Sequence, residues 1–150
     1  MRHSKWLSLQ FVVLLGLVAL SAQQPRTFRT RLSPVPIDVA MQATVAGSGS
    51  VTAVLTGTKL VLTGTFDGLK SPATIARIHK SPVRGVRGPN VFDLTVSRID
   101  AASGTLGGSF DLTAIQVADL ETGRLYVQLH SEKAADGNLW GWLMPQENKR

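Results

Sequence analysis

The 150-residue chain contains no cysteine. A disulfide bond, a cysteine-ligated metal centre and a catalytic thiol are therefore all excluded. Stability must come instead from side-chain packing and backbone pairing. Hydrophobic residues make up 43% of the chain, which is sufficient for one domain with a core of its own.

The chain also lacks an apolar run long enough to cross a bilayer. Residues 11–20 are an apolar stretch of ten residues, whereas a spanning helix needs about 20. Arg2 and Lys5 precede this stretch and small residues including Ala22 follow it, which indicates a cleaved signal peptide rather than a membrane anchor. We therefore predict export to the periplasm or the extracellular space, with no stable membrane anchor after cleavage. The predicted segments are a signal peptide at 1–22, a linker at 23–26, a β domain at 27–145 and a C-terminal tail at 146–150.

Motifs of catalysis are missing as well. Only His79 and His130 follow the predicted signal peptide, and no serine lies in a Gly-x-Ser-x-Gly context. The sequence has no phosphate-binding glycine loop and no paired acidic motif. These absences predict a protein that is not an enzyme, with no catalytic residue and no cofactor.

Acidic residues are outnumbered by basic ones, so the formal net charge is +6, and removing Arg2 and Lys5 with the signal peptide leaves +4. Such a surplus suits nucleic acid, an anionic envelope surface or an acidic partner, or it is only a solvated basic face. Export argues against nucleic acid as a partner. The basic residues concentrate in two parts of the chain, namely Arg26, Arg29 and Arg31 near the start and Arg77, Lys80, Arg84 and Arg87 in the middle.

Apolar and polar residues alternate with period two through most of the chain, for example around Phe28, Leu55, Leu94 and Leu129. This alternation is typical of half-buried antiparallel strands, and glycine-containing turns separate the segments. Many short strands at close spacing predict an all-β domain, either a sandwich or a barrel.

One short helix is predicted near residues 114–121. Thr113 and Gln116 have the spacing of a capping box, and Gly123 is a natural helix stop. Residues 33–49 are first rich in proline and then in small residues. Neither a helical nor a strand periodicity assigns this segment to an element.

Two segments carry a resemblance to a known family. The first reads Ala-Arg-Ile-His at 76–79 and continues through a glycine- and proline-containing turn at 85–94. The second reads Tyr-Val-Gln-Leu-His-Ser at 126–131 and continues with Asp-Gly-Asn-Leu-Trp-Gly at 136–141. In order and spacing the chain resembles the CHRD (chordin) domain family over residues 28–143, as a bacterial exported single-domain member. The resemblance implies an immunoglobulin-like antiparallel β-sandwich or barrel.

Alternation assigns a candidate binding face on the outside of this domain. Where the aliphatic residues of a strand point inward, their polar and aromatic neighbours point outward. Large aromatic side chains beside arginine are typical of contact surfaces, so we predict that an envelope protein or a glycan binds there. The alternative is that a loop, either residues 33–49 or residues 80–87, covers the rings. The predicted face comprises Arg77, His79, Tyr126, Gln128, His130, Trp140 and Trp142, with Arg84 and Arg87 in a neighbouring loop.

A metal site is the other use that the two histidines suggest. The CHRD pattern has two histidines two positions apart, but here Arg77 stands at the first position and its permanent positive charge repels a metal ion. His79 and His130 remain, with Asp93 or Asp136 as a third candidate, and two ligands rarely hold a transition metal alone. The sequence therefore predicts a non-catalytic binding or structural module of the cell envelope, without a metal. The alternative is a periplasmic metal-binding or redox-related protein that uses His79 and His130.

Overall fold

The structure is a computed structural model that describes residues 23–147. The predicted signal peptide at 1–22 and the last three residues of the predicted tail lie outside the described residues. Over 23–147 the chain forms nine strands, one 3₁₀ turn at Ala40–Ala43 and one α-helix, α1, at Ala114–Glu121. The strands are β1 (Arg26–Pro34), β2 (Ser48–Thr56), β3 (Lys59–Asp67), β4 (Ala73–Lys80), β5 (Asn90–Arg98), β6 (Gly104–Asp111), β7 (Leu125–Ser131), β8 (Ala134–Trp142) and β9 (Met144–Pro145).

Eight of these strands close into one antiparallel barrel. The hydrogen-bonded order is β2-β3-β6-β5-β4-β7-β8-β1, and β1 pairs with β2 as well. Strand β1 closes the ring because most of its length pairs with β2 while its end, Ser33 and Pro34, pairs with β8. The all-β class and the barrel form of the prediction are confirmed, whereas the immunoglobulin-like sandwich is not confirmed.

Strand alternation fills the barrel with aliphatic side chains. On β7, for example, Leu125, Val127 and Leu129 belong to the main core cluster and are fully buried. Burying each side chain of this kind contributes about 1.5–3 kcal/mol to folding. Other members of the cluster are Phe28, Leu32, Leu55, Leu60, Leu62, Ile78, Leu106, Leu139 and Leu143.

Helix α1 spans the eight residues that the sequence predicts. The Thr113 hydroxyl accepts a hydrogen bond from the backbone N–H of Gln116 at 3.2 Å. In return, the Gln116 side-chain oxygen accepts one from the backbone N–H of Thr113 at 2.9 Å. The capping box is therefore confirmed, and Gly123 follows the helix with a φ of +68°, a conformation that glycine adopts readily. Leu120 anchors the helix in the barrel core. Within residues 23–147 no helix is both long and apolar enough to cross a membrane.

Residues 35–47, which the sequence did not place, run across the outside of β8. The Val35 amide donates to the Asn138 carbonyl oxygen at 3.0 Å, and the Ala46 amide donates to the Asn138 side-chain oxygen at 3.3 Å. The loop forms a second, smaller core outside the barrel. Its members are Val35, Val45 and Ala134, with Met41 and Trp140 packed against them.

Candidate binding face

Three neighbouring strands, β4, β7 and β8, bring the two sequence motifs together. Residues directly opposite each other in antiparallel strands share one face of the sheet. The register gives two rows across these strands, Arg77–Gln128–Trp140 and His79–Tyr126–Trp142. His130 follows Gln128 by two positions on β7 and so lies on the same face. The sequence-based expectation that His79 and His130 share a face is therefore confirmed.

The expected solvent exposure of this face does not hold for its central strand. Tyr126 is 1% exposed, Gln128 is 2% exposed and His130 is 7% exposed. On the outer side of β7 the loop at 81–89 contacts the Tyr126 hydroxyl, and the β8 backbone at Asp136 and Ala135 contacts Gln128 and His130. The covering alternative that the sequence left open concerned the tryptophan rings. Trp140 and Trp142 are only partly covered.

Aromatic rings form a continuous cluster on the outer face. His79 stacks on Tyr126 with ring centroids 5.0 Å apart, and Tyr126 stacks on Trp142 at 4.8 Å. Trp140 meets Trp142 edge to face at 4.8 Å. Each such pair contributes about 0.5–1.5 kcal/mol beyond the area that it buries. The sequence expects Arg77 beside the tryptophans, but the guanidinium over the Trp140 ring is that of Arg87, at 5.8 Å.

The loop at residues 81–89 is held down on this aromatic cluster. The Tyr126 hydroxyl accepts a hydrogen bond from the Gly88 amide at 3.1 Å, and His79 Nδ1 donates to the Gly88 carbonyl oxygen at 3.0 Å. Arg87 Nη1 donates to the Asp136 carbonyl oxygen at 2.5 Å. These contacts fix the base of the loop and leave Arg84 projecting from its exposed tip.

His130 belongs to a hydrogen-bond network that requires its neutral form. The His130 Nδ1 atom lies 2.7 Å from the Ala135 carbonyl oxygen, so it carries the proton and donates. The Nε2 atom accepts a hydrogen bond from the side-chain amide nitrogen of Gln128 at 3.2 Å. The same amide nitrogen donates to the Asp136 carbonyl oxygen at 3.1 Å. Burial lowers the pKa of His130 below its ordinary value, and the positive charges of Arg77 and Arg87 lower it further.

The pKa of His79 is lowered too, mainly by burial and further by the positive charges of Arg77 and Arg87, against the raising effect of the hydrogen bond to Gly88. His79 Nε2 is buried and has no hydrogen-bond partner among the described residues. It is the one imidazole nitrogen of this face that no protein group engages. Among residues 23–147 no three His, Asp or Glu side chains are grouped so that they could hold a metal ion. Asp93, one of the carboxylates considered for such a site, instead pairs with Arg77 at 2.9 Å.

Some basic residues form ion pairs with carboxylates, and others do not. Arg77 pairs with Asp93, Lys80 pairs with Asp119 at 2.7 Å, and Arg26 pairs with Glu121. Within the described part of the chain no carboxylate lies within 4.0 Å of Arg29, Arg31 or Arg84.

These three arginines surround an open groove of about 370 Å³ beside the tryptophans. Arg29, Arg31 and Ser33 alternate on the outer side of β1, and Ser33 lies opposite Trp140. Gly141 allows β1 to come this close, because a Cβ there would lie 2.4 Å from the Thr30 hydroxyl oxygen and 2.6 Å from the Arg31 carbonyl oxygen. The groove is lined by Arg29, Thr30, Arg31, Ser33, Arg84, Trp140, Gly141, Trp142 and Met144.

Sequence reasoning singled out Trp140, Trp142 and Arg84 but did not connect Arg29 and Arg31 with them. Alternation alone puts Arg29 and Arg31 on the outer side of β1. Only the long-range pairing of β1 with β8 places them beside the tryptophans, and no local pattern encodes that pairing.

Fold and site together define a small closed antiparallel β-barrel whose candidate site is an open surface groove rather than an enclosed cleft. The family model of the CHRD domain matches residues 28–143, which is most of the chain. The chain therefore belongs to the CHRD domain family, whose members are generally non-catalytic modules. Comparison with curated proteins and with solved structures gives no match.

Proposed function

We propose that the protein is a non-catalytic binding module of the cell envelope, exported with removal of residues 1–22. The groove carries this proposal, because two partly exposed indoles lie there beside three arginines that have no carboxylate partner in the described chain. The charged and apolar segment order of residues 1–22 supports export.

The chemistry of the groove favours binding over a merely structural surface. Tryptophan and arginine are the residues that most often dominate the binding energy of an interface. A guanidinium group is weakly hydrated and offers a planar fork of donors, so it gives up little hydration when it meets a carboxylate or phosphate. Elsewhere on the barrel, arginines such as Arg26 and Arg77 already have acidic partners.

No contact among the described residues favours the metal-binding or redox alternative. His130 engages both of its ring nitrogens with protein groups, and Arg77 pairs with Asp93, one of the two carboxylates considered as a third ligand.

Capture from envelope extract tests the proposal. The wild type, Trp140→Ala and the control Ile115→Ala are immobilised, and thermal unfolding first establishes that each is folded. Ile115 is a suitable control because it is a large apolar residue that is 70% exposed on α1, away from the groove. We expect the wild type and Ile115→Ala to retain the same component, and Trp140→Ala to lose it. Identical capture by all three proteins, or capture of nothing by any of them, would contradict the proposal.

A further inference from the structure

We propose that the groove between β1 and β8 binds an oligosaccharide whose sugar rings carry carboxylate groups. This inference rests on the proposed binding function and names the ligand class of the same site. The residues that carry it are Arg29, Arg31, Arg84, Trp140 and Trp142.

The charge of the groove calls for an anionic ligand. Its lining includes three arginines and no aspartate or glutamate. Arginine binds carboxylates through two parallel hydrogen bonds, and such charge-assisted bonds are stronger than those between neutral groups.

The spacing of the arginines favours a ligand with repeated anionic groups. Arg29 and Arg31 are two positions apart on one strand, so their Cα atoms are about 7 Å apart. Arg84 approaches from a different element, the loop at 81–89. Three guanidiniums distributed in this way suit several charges along a chain better than one compact ion. The groove is also open, so a longer chain can extend beyond it.

The remaining lining favours sugar rings. Tyr126 covers one side of the Trp142 ring and Arg87 lies over the Trp140 ring, so only the parts of the two indoles that line the groove offer apolar surface against which the C–H groups of a sugar can pack. Ser33 supplies a hydroxyl group, and the arginine N–H groups can also donate to sugar hydroxyls.

Single-stranded nucleic acid is the main competitor, because it also combines repeated negative charge with flat rings that stack on aromatic side chains. Export, which the sequence predicts, separates the protein from nucleic acid. We therefore take the acidic saccharide as the ligand class, and nucleic acid binding becomes an outcome of the test.

Tryptophan fluorescence gives a direct readout. The chain has three tryptophans, Trp6, Trp140 and Trp142, and Trp6 lies in the segment proposed to be removed, so in the exported protein, residues 23–150, every remaining tryptophan lines the groove. This protein is titrated with oligogalacturonate, with its fully methyl-esterified form, with inorganic phosphate and with oligo-dT. We expect a saturable fluorescence change with oligogalacturonate. Binding of the uncharged ester should be weaker by about tenfold or more, since it offers arginine no carboxylate.

A charge-matched pair of variants separates the groove from net charge. Arg29→Gln/Arg31→Gln removes two charges from the groove, and Lys59→Gln/Arg98→Gln removes two exposed charges from β3 and β5. The groove variant should lose about tenfold or more in affinity and the control less than about twofold. Equal losses in the two variants would overturn the inference, since the binding would then reflect overall charge. Absence of saturable binding to oligogalacturonate, or equal affinity for its ester, would also overturn it.

The remaining outcomes separate this inference from the proposed function. Equal or tighter binding of phosphate or oligo-dT at the groove would refute the saccharide as the ligand class while leaving a binding site in place. Capture of an envelope component that depends on Trp140, without any response to oligogalacturonate, would likewise retain the binding function and reject the saccharide. Failure of both experiments would reject the two together.

Discussion

Mild acid should destabilise the fold, because His79 and His130 are held in their neutral forms. His79 and His130 have an ordinary pKa of 6.5, and burial lowers the pKa of both in the folded protein. A proton on His130 Nε2 would point at the Gln128 amide nitrogen, which is itself a donor. The charged form of either ring would also face the guanidinium groups of Arg77 and Arg87.

The sign and size of the effect follow from proton linkage. Above pH 6.5 both histidines are neutral in the folded and unfolded states, so the stability is fully present. As the pH falls below 6.5, the two histidines bind protons in the unfolded chain but not in the folded protein. The free energy of unfolding therefore decreases until the pH has fallen below the lowered pKa values of the folded protein. The slope cannot exceed about 1.4 kcal/mol per pH unit for each histidine, or about 2.7 kcal/mol per unit for both. Because His79 is partly exposed, we expect a slope below this ceiling.

Urea denaturation at intervals between pH 8 and pH 5 measures this slope. His79→Asn/His130→Asn is the matched variant, because its amides can still donate near the two Nδ1 positions but do not titrate. We expect the wild type to lose stability between pH 6.5 and pH 5 and the variant to show a flatter profile. Parallel profiles for the two proteins would refute the reasoning, since the proton uptake would then belong to other groups.

Three further predictions concern local structure and processing. Thr113→Ala should lower the free energy of unfolding by about 1 kcal/mol through loss of the helix cap, and an unchanged denaturation midpoint would show that the cap contributes nothing. Gly141→Ala should destabilise the barrel by about 1–3 kcal/mol, because the added methyl group would clash with Thr30 and the Arg31 carbonyl oxygen. A melting temperature equal to that of the wild type would contradict this prediction. Intact-mass measurement of protein from the envelope fraction should give a chain that begins near residue 23, and a mass that includes Met1 would reject the predicted cleavage.

Local patterns predicted the strands and the helix because their causes are local. Period-two alternation places Phe28 and Leu32 inside the barrel and Arg29 and Arg31 outside, whatever the neighbouring strands are. The capping box at Thr113 is likewise complete within four residues.

Burial of the outer face was not predictable in the same way. The polar side chains of β7 look solvent-facing in sequence, yet Gln128 is buried and Tyr126 is buried under a loop from a distant part of the chain. The path of residues 35–47 and 81–89 follows from no periodicity. The groove depends on non-local register as well, since it exists only because Ser33 lies opposite Trp140.

Capture from envelope extract by the two charge-matched variants decides whether the groove between β1 and β8 is a binding site. Both variants carry the same net charge, and neither alters the tryptophans or the barrel core. We expect Lys59→Gln/Arg98→Gln to retain the component bound by the wild type and Arg29→Gln/Arg31→Gln to lose it. Equal retention of that component by both variants would show that the groove is not the binding site.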